Sequence, residues 1–201
     1  MLDEKQFLGE HGIRALSKEY HDKPYEFDMG GTQYRVAYEP AESTTGMFGG
    51  NSNWRGPIWM PVNGLIIRSL VLLYQYYGNS LKLECPAGSG KEMNLFEVAQ
   101  EISARLEGIY RADANGRRPV FGRDEKFQTD PYWKDYLLFY EYFDGDIGAG
   151  VGASHQTGWT GLVARFLHLF DNVNAQEVLE EGTTVLLHKA TVGEAAEAVE
   201  A

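Results

Sequence analysis

The chain has 201 residues, of which 43% are hydrophobic and 13% aromatic, enough for one domain with a sizeable core. Its net charge of −11 excludes a nucleic-acid-binding role, which needs clustered Lys and Arg. No run of 18 apolar residues exists, so no membrane span or membrane partner is expected. The first residues, Met-Leu-Asp-Glu-Lys, lack the apolar core of a signal peptide, and the lone Cys85 fits a reducing compartment; a cytoplasmic protein is expected.

Residues 1–22 read as a short amphipathic start with Leu2, Phe7 and Leu16 as contacts. Residues 25–38 alternate around Gly30-Gly31, a hairpin signal. Residues 39–56 are rich in Gly, Ser, Thr and Asn and form a long loop. Pro57 and Pro61 then lead into a helix from about Val62 to Tyr77. Its face of Leu65, Ile66, Ser69, Leu70, Leu73 and Tyr77 is so apolar that burial on more than one side is expected. A second helix spans about Asn94–Tyr110, followed by a turn at Asp113–Gly116 and an extended Pro119-Val-Phe. Asp130-Pro131 signals a helix start before Tyr132–Leu137. Phe139–Phe143 is extended, and a third helix spans Gln156–Phe170, with Leu162, Phe166 and Leu169 on one face. Residues 180–201 read as a flexible acidic tail, leaving 1–179 as the folded unit.

The chemistry concentrates in two blocks. In the first, Glu141 sits in the aromatic run Phe139-Tyr-Glu-Tyr-Phe143, ahead of Gly148-Ala-Gly-Val-Gly-Ala-Ser-His155-Gln-Thr-Gly-Trp159. Aromatic neighbours offer faces to a sugar ring and lower the dielectric around a carboxylate, and glycines permit close backbone approach. The second block is Gly49-Gly-Asn-Ser-Asn-Trp54-Arg55-Gly-Pro-Ile-Trp59-Met-Pro-Val-Asn63. Indole faces stack on pyranoses, and a guanidinium presents a rigid fork of donors to hydroxyls. Asn53 and Asn63 are candidates for orienting this loop. His155, Gln156 and Trp159 stand at the start of the last helix, where a helix N-terminus favours a carboxylate or sugar oxygen; a structural histidine and a core-packing indole are the competing readings of His155 and Trp159.

Other features carry less. Ala87–Glu92 lacks the glycine and hydroxyl spacing of a phosphate loop, and Asp144-Gly-Asp146 lacks the distal Glu of a calcium loop. The histidines at 11, 21, 155, 168 and 188 show no metal-ligand spacing, so neither metal nor cofactor is expected. Asp28, Asp130, Asp135, Asp144 and Asp146 have plain turn, hairpin or capping readings. Tyr132 and Trp133 read as packing residues.

From about Phe7 to about Phe170, these two blocks make the chain resemble the C-terminal part of glycoside hydrolase family 63. That family comprises processing alpha-glucosidase I and the bacterial glucosidase-like and mannosylglycerate hydrolase-like enzymes. The resemblance implies a mainly α fold, the C-terminal portion of an (α/α)6 toroid with a small β-hairpin and long loops. It implies an inverting hydrolase acting on an α-linked glucoside or related carbohydrate, with Glu141 as general base. Trp54, Arg55, Trp59, His155, Gln156 and Trp159 would line the sugar subsite. The general acid would be an Asp upstream of this stretch of sequence, so little hydrolysis is expected from it alone, and the remainder of the catalytic domain, in cis or in trans, is the implied partner. The alternative is a non-catalytic carbohydrate-binding or structural fragment that needs a partner chain, with the apolar faces of Val62–Tyr77 and Gln156–Phe170 as its interface.

Overall fold

A computed structural model describes residues 1–46 and 53–185. Its core is a packed trio of helices: α1 (Met60–Tyr77), α2 (Leu95–Gly108) and α5 (Leu162–Asn172). Short antiparallel ribbons surround them: β1–β2 (Leu8–Gly9, Gly12–Ile13), β3–β4 (Tyr25–Met29, Thr32–Val36), β5–β6 (Lys82–Glu84, Glu92–Asn94) and β7–β8 (Tyr142–Phe143, Gly150–Val151). The shorter helices are α3 (Glu125–Thr129), α4 (Thr157–Thr160) and α6 (Ala175–Glu181). Among the described residues, no helix is long and apolar enough to cross a membrane.

Each long helix has an identifiable start. Pro61 occupies the first turn of α1, where its missing N–H costs nothing, and Gly78 at φ +55° stops the helix. At α2, Asn94 and Glu97 form a reciprocal capping box, with bonds of 2.9 and 2.7 Å. Ile67, Leu70, Val71 and Tyr74 of α1 meet Val98, Ile102 and Leu106 of α2 and Phe166 and Leu169 of α5 in the core.

The buried stripe of α1 differs from the expected one. Met60, Asn63, Ile67, Leu70, Val71 and Tyr74 point inward, whereas Leu65, Leu73 and Tyr77 are exposed. The helix carries two apolar stripes, and α2 and α5 cover one of them. Leu65 stays 64% exposed and Tyr76 81%, so burial on more than one side does not hold within the described residues.

Several local expectations are also corrected. The amphipathic start contains the β1–β2 ribbon, and of its expected contacts Leu2 and Phe7 pack on the core. Pro119–Phe121 is a 3-10 turn, closed by the Gly122 N–H on the Pro119 carbonyl. Asp130 ends α3 instead of starting a helix. Its carboxylate accepts from the Tyr132 N–H and its carbonyl from Trp133 and Lys134, giving turns over the exposed 131–135 segment, which offers no buried face to propagate a helix. The helix expected over Gln156–Phe170 breaks at Gly161 into α4 and α5. Tyr132 is 80% exposed rather than packed, while Trp133 lies against Phe127 and under Lys126. The β3–β4 hairpin forms as expected, with Asp28 accepting from Gly31 in its turn. Residues 180–185 complete α6 and a following turn, with Val185 buried; residues 47–52 of the long loop and 186–201 of the expected tail lie outside the described residues.

Candidate functional site

Two hydrogen bonds create the site. Ile58 and Phe143 exchange N–H···O bonds of 2.8 and 3.0 Å as an antiparallel bridge, and Ile58 also bridges Arg14. Antiparallel register sets the residues beyond such a pair directly across from each other, which brings Trp59 beside Tyr142. Their rings stack at 4.7 Å. Trp59 also stacks on Trp54 at 3.8 Å, with planes within 2° of parallel, and meets the edge of Trp159 at 6.1 Å. Residues more than a hundred positions apart thus form one aromatic assembly with Trp59 as its buried hub and Trp54 and Trp159 each 38% exposed.

The loop before the hub is fixed by Asn53, which is fully buried. Its side-chain N–H groups donate to the carbonyls of Glu39 and Ala41, both at 2.7 Å, its Oδ1 accepts from the Arg55 N–H, and its carbonyl accepts from Trp59 Nε1 at 3.0 Å. Asn63 performs the analogous task one turn into α1. It bonds both the N–H and the carbonyl of Ile13 and also the carbonyl of Trp59.

Arg55 is placed in the interior, 3% exposed, with Nη2 donating to Glu39 at 2.7 Å and to Ser43 at 2.6 Å. Its Nε has no hydrogen-bond partner among the described residues. The guanidinium therefore clamps the 39–44 loop and shows almost none of its surface to solvent.

Glu141 lies one residue before Tyr142, partly buried, across the β7–β8 ribbon from Gly152. Its Oε2 accepts from the Ala153 N–H at 3.4 Å. Two glycines of the following loop make this possible. A Cβ at Gly150 would collide with the Tyr140 ring, and one at Gly152, where φ is +75°, would stand 2.8 Å from Glu141 Oε2. The close approach expected of these glycines is made by the chain's own side chains.

The Tyr142 phenol is pushed up to about 12 by its burial, and then by the charges of Glu42 and Glu141. It stays protonated and able to donate at any physiological pH. His155 and Gln156 are exposed, and their backbone runs alongside Phe139, with the Gln156 N–H on the Phe139 carbonyl at 2.7 Å. Thr160 of α4 bonds the Tyr140 carbonyl, which holds Trp159 against the hub. Gln156 caps α4 without a side-chain bond, and α4 has only four residues, too few for a strong N-terminal field.

Trp54, Trp59, Trp159 and the Glu141 segment are thus brought together, with His155 and Gln156 at the margin and Arg55 buried. Tyr142, Glu39 and Glu42 belong to the same neighbourhood but went unnoticed in the sequence. Tyr142 had a signal in its place beside Glu141; the two glutamates lie in a loop with no recognisable pattern. Asp144 and Asp146 are committed to structure. Asp144 accepts from the N–H groups of Asp146 and Ile147, and Asp146 is bonded by Lys18 and Tyr38 beside Arg14. An apolar groove of about 440 Å³ lies elsewhere, between α1 and α5, and has no carboxylate in its lining.

Sequence comparison gives the site a context. No family model matches the chain. An uncharacterized protein of Saccharomyces cerevisiae is 54% identical over 170 residues, 83% of this chain and 16% of that protein. The mannosyl-oligosaccharide glucosidase of the same yeast is 30% identical over 125 residues, 61% of this chain and 12% of the relative. A probable mannosyl-oligosaccharide glucosidase of Schizosaccharomyces pombe is 31% identical over 118 residues, 59% of this chain and 11% of the relative. The chain is related to a segment of glucosidases. It spans about a sixth or less of the length of the curated relatives it matches.

Proposed function

We propose that this chain supplies the general base and part of the sugar subsite of an inverting, alpha-glucosidase-like hydrolase of glycoside hydrolase family 63. The observation that carries the reading is the assembly at Trp59. It sets exposed indoles at Trp54 and Trp159 in one assembly with Tyr142, the residue that follows Glu141 in the chain. Relatedness to mannosyl-oligosaccharide glucosidases supports it from outside the structure.

In this reading the apolar face of a glucosyl unit rests on the exposed indoles. Glu141 removes a proton from a water molecule as its oxygen bonds to the anomeric carbon. The glycosidic bond breaks, and an acid from the part of the relatives not spanned by this chain protonates the departing oxygen. Configuration at the anomeric carbon inverts. Helices α1, α2 and α5 would belong to an (α/α)6 toroid completed by that same part, in cis or in trans, against the exposed stripe of α1.

The test is hydrolysis of para-nitrophenyl alpha-glucoside by the chain mixed with the remaining portion of its Saccharomyces relative. Turnover in the mixture that Glu141→Gln lowers by roughly 100-fold or more is the expected result, since general acid–base catalysis contributes about that much. Turnover unchanged in that variant would remove Glu141 from the mechanism.

A further inference from the structure

The loop preceding the aromatic assembly is held on nearly every residue. Glu39 bonds Arg55 and both the N–H and the hydroxyl of Thr44; the Pro40 carbonyl accepts from Gly145 at 2.8 Å; the Ala41 carbonyl accepts from Asn53; and Ser43 accepts from Arg55. Among the described residues Glu42 is the exception, since its side chain is exposed between two pinned neighbours. With Ala41 and Ser43 fixed, its carboxylate is confined to the arc that its own side-chain torsions sweep. The anchor that fixes Ala41 is Asn53, the residue before Trp54 and the acceptor of the Trp59 indole N–H. The Glu42 backbone is thus one residue from a carbonyl tied to the anchor of the Trp54–Trp59 stack.

We infer that Glu42 is a further substrate-contacting residue of the aromatic subsite, accepting hydrogen bonds from sugar hydroxyls and favouring a cationic sugar mimic over a neutral sugar. The inference rests on the reading of the stack as a sugar subsite. The Tyr142 phenol supports the placement, because the Glu42 and Glu141 charges both reach it. Glu42 belongs to the 39–44 loop and Glu141 to the segment entering β7, so a ring seated on the indoles would meet an acceptor from each. Glu42 transfers no proton in this scheme. It acts on binding and specificity, as a charge-assisted acceptor does.

Tryptophan fluorescence of the 201-residue chain reports on the stack directly. D-glucose and its iminosugar counterpart 1-deoxynojirimycin, with the ring nitrogen protonated, are titrated into the unaltered chain, Glu42→Gln, Glu42→Asp and Glu141→Gln. Circular dichroism verifies each fold. Glu42→Gln should reduce the preference for the cation roughly 3- to 10-fold, the scale of a charge-assisted contact at a partly exposed site. Glucose affinity should hold within about 2-fold, because the Gln carbonyl still accepts hydrogen bonds. Glu42→Asp should keep part of the preference. A preference unchanged in Glu42→Gln but reduced in Glu141→Gln would overturn the role of Glu42 and leave the subsite standing. The reverse pattern would keep Glu42 and remove Glu141 from the sugar. No fluorescence response to either compound in the unaltered chain would overturn the subsite and Glu42 together.

Discussion

Replacing Gly152 by Ala tests whether the glycine loop exists to seat Glu141. Two costs are separable. At φ +75° a side chain is strained by ~1–2 kcal/mol, offset by ~0.4–1 kcal/mol from the smaller unfolded-state entropy, a net of about 1 kcal/mol. The new methyl would also stand 2.8 Å from Glu141 Oε2, 3.0 Å from Glu141 Cβ and 3.0 Å from Tyr142 Cε1. The carboxylate oxygen can swing aside, but the Glu141 Cβ and the Tyr142 ring, stacked on Trp59, cannot. Crowding of this kind adds about 1–3 kcal/mol. Gly88 supplies the control, with φ +83° and nothing within 4 Å of the added carbon. Urea unfolding followed by circular dichroism should therefore show a loss of about 2–4 kcal/mol for Gly152→Ala against about 1 kcal/mol for Gly88→Ala. Tryptophan fluorescence should change only in the former. Equal losses with unchanged fluorescence would refute the seating argument.

Arg55→Met should cost about 3 kcal/mol in urea unfolding by removing the cation from the Glu39 carboxylate and leaving it only Thr44, and the double variant with Glu39→Gln should recover part of that loss, as a thermodynamic cycle would reveal. Asn63→Ala removes three buried hydrogen bonds and leaves both Ile13 backbone groups unpaired, for an expected loss of about 2–4 kcal/mol by the same measurement. Burial raises the pKa of Asp146, but Lys18, Tyr38 and Arg14 outweigh it and hold the carboxyl below its ordinary value. A depressed folded-state pKa contributes stability above the unfolded value of ~3.9 that is lost as pH falls through the folded one. The stability gap between the unaltered chain and Asp146→Asn should therefore be full at pH 7 and shrink below about pH 4 in thermal melts.

How far the sequence disclosed this arrangement depends on whether the signal was local. The capping box at Asn94, the Pro61 start of α1 and the Gly30-Gly31 hairpin are written in neighbouring residues, and all three elements form. The Trp-Arg-Gly-Pro and aromatic-Glu blocks stood out for the same reason. What joins them, the Ile58–Phe143 bridge, is a contact between residues 85 apart whose apolar identities are unremarkable. Arg55 beside Trp54 invited a reading as an exposed fork. Its burial follows from Glu39 and Ser43, 16 and 12 residues earlier. The two stripes of α1 were indistinguishable by composition, and only the positions of α2 and α5 decide which one is inward. At Asp130 the capping chemistry was recognised, but it closes a helix and begins a turn, because the residues that follow have no core to meet.

The most direct test of Glu141 as base uses alpha-glucosyl fluoride, whose leaving group departs without a general acid. This substrate needs no general acid, so the rate reports on the base. The measurement is fluoride release with the product anomer identified by proton NMR, for the unaltered chain and Glu141→Gln, each mixed with the remaining portion of the Saccharomyces relative. The account predicts that beta-glucose appears first and that Glu141→Gln slows release roughly 100-fold or more. Release at the same rate in Glu141→Gln, or alpha-glucose as the first product, would contradict it.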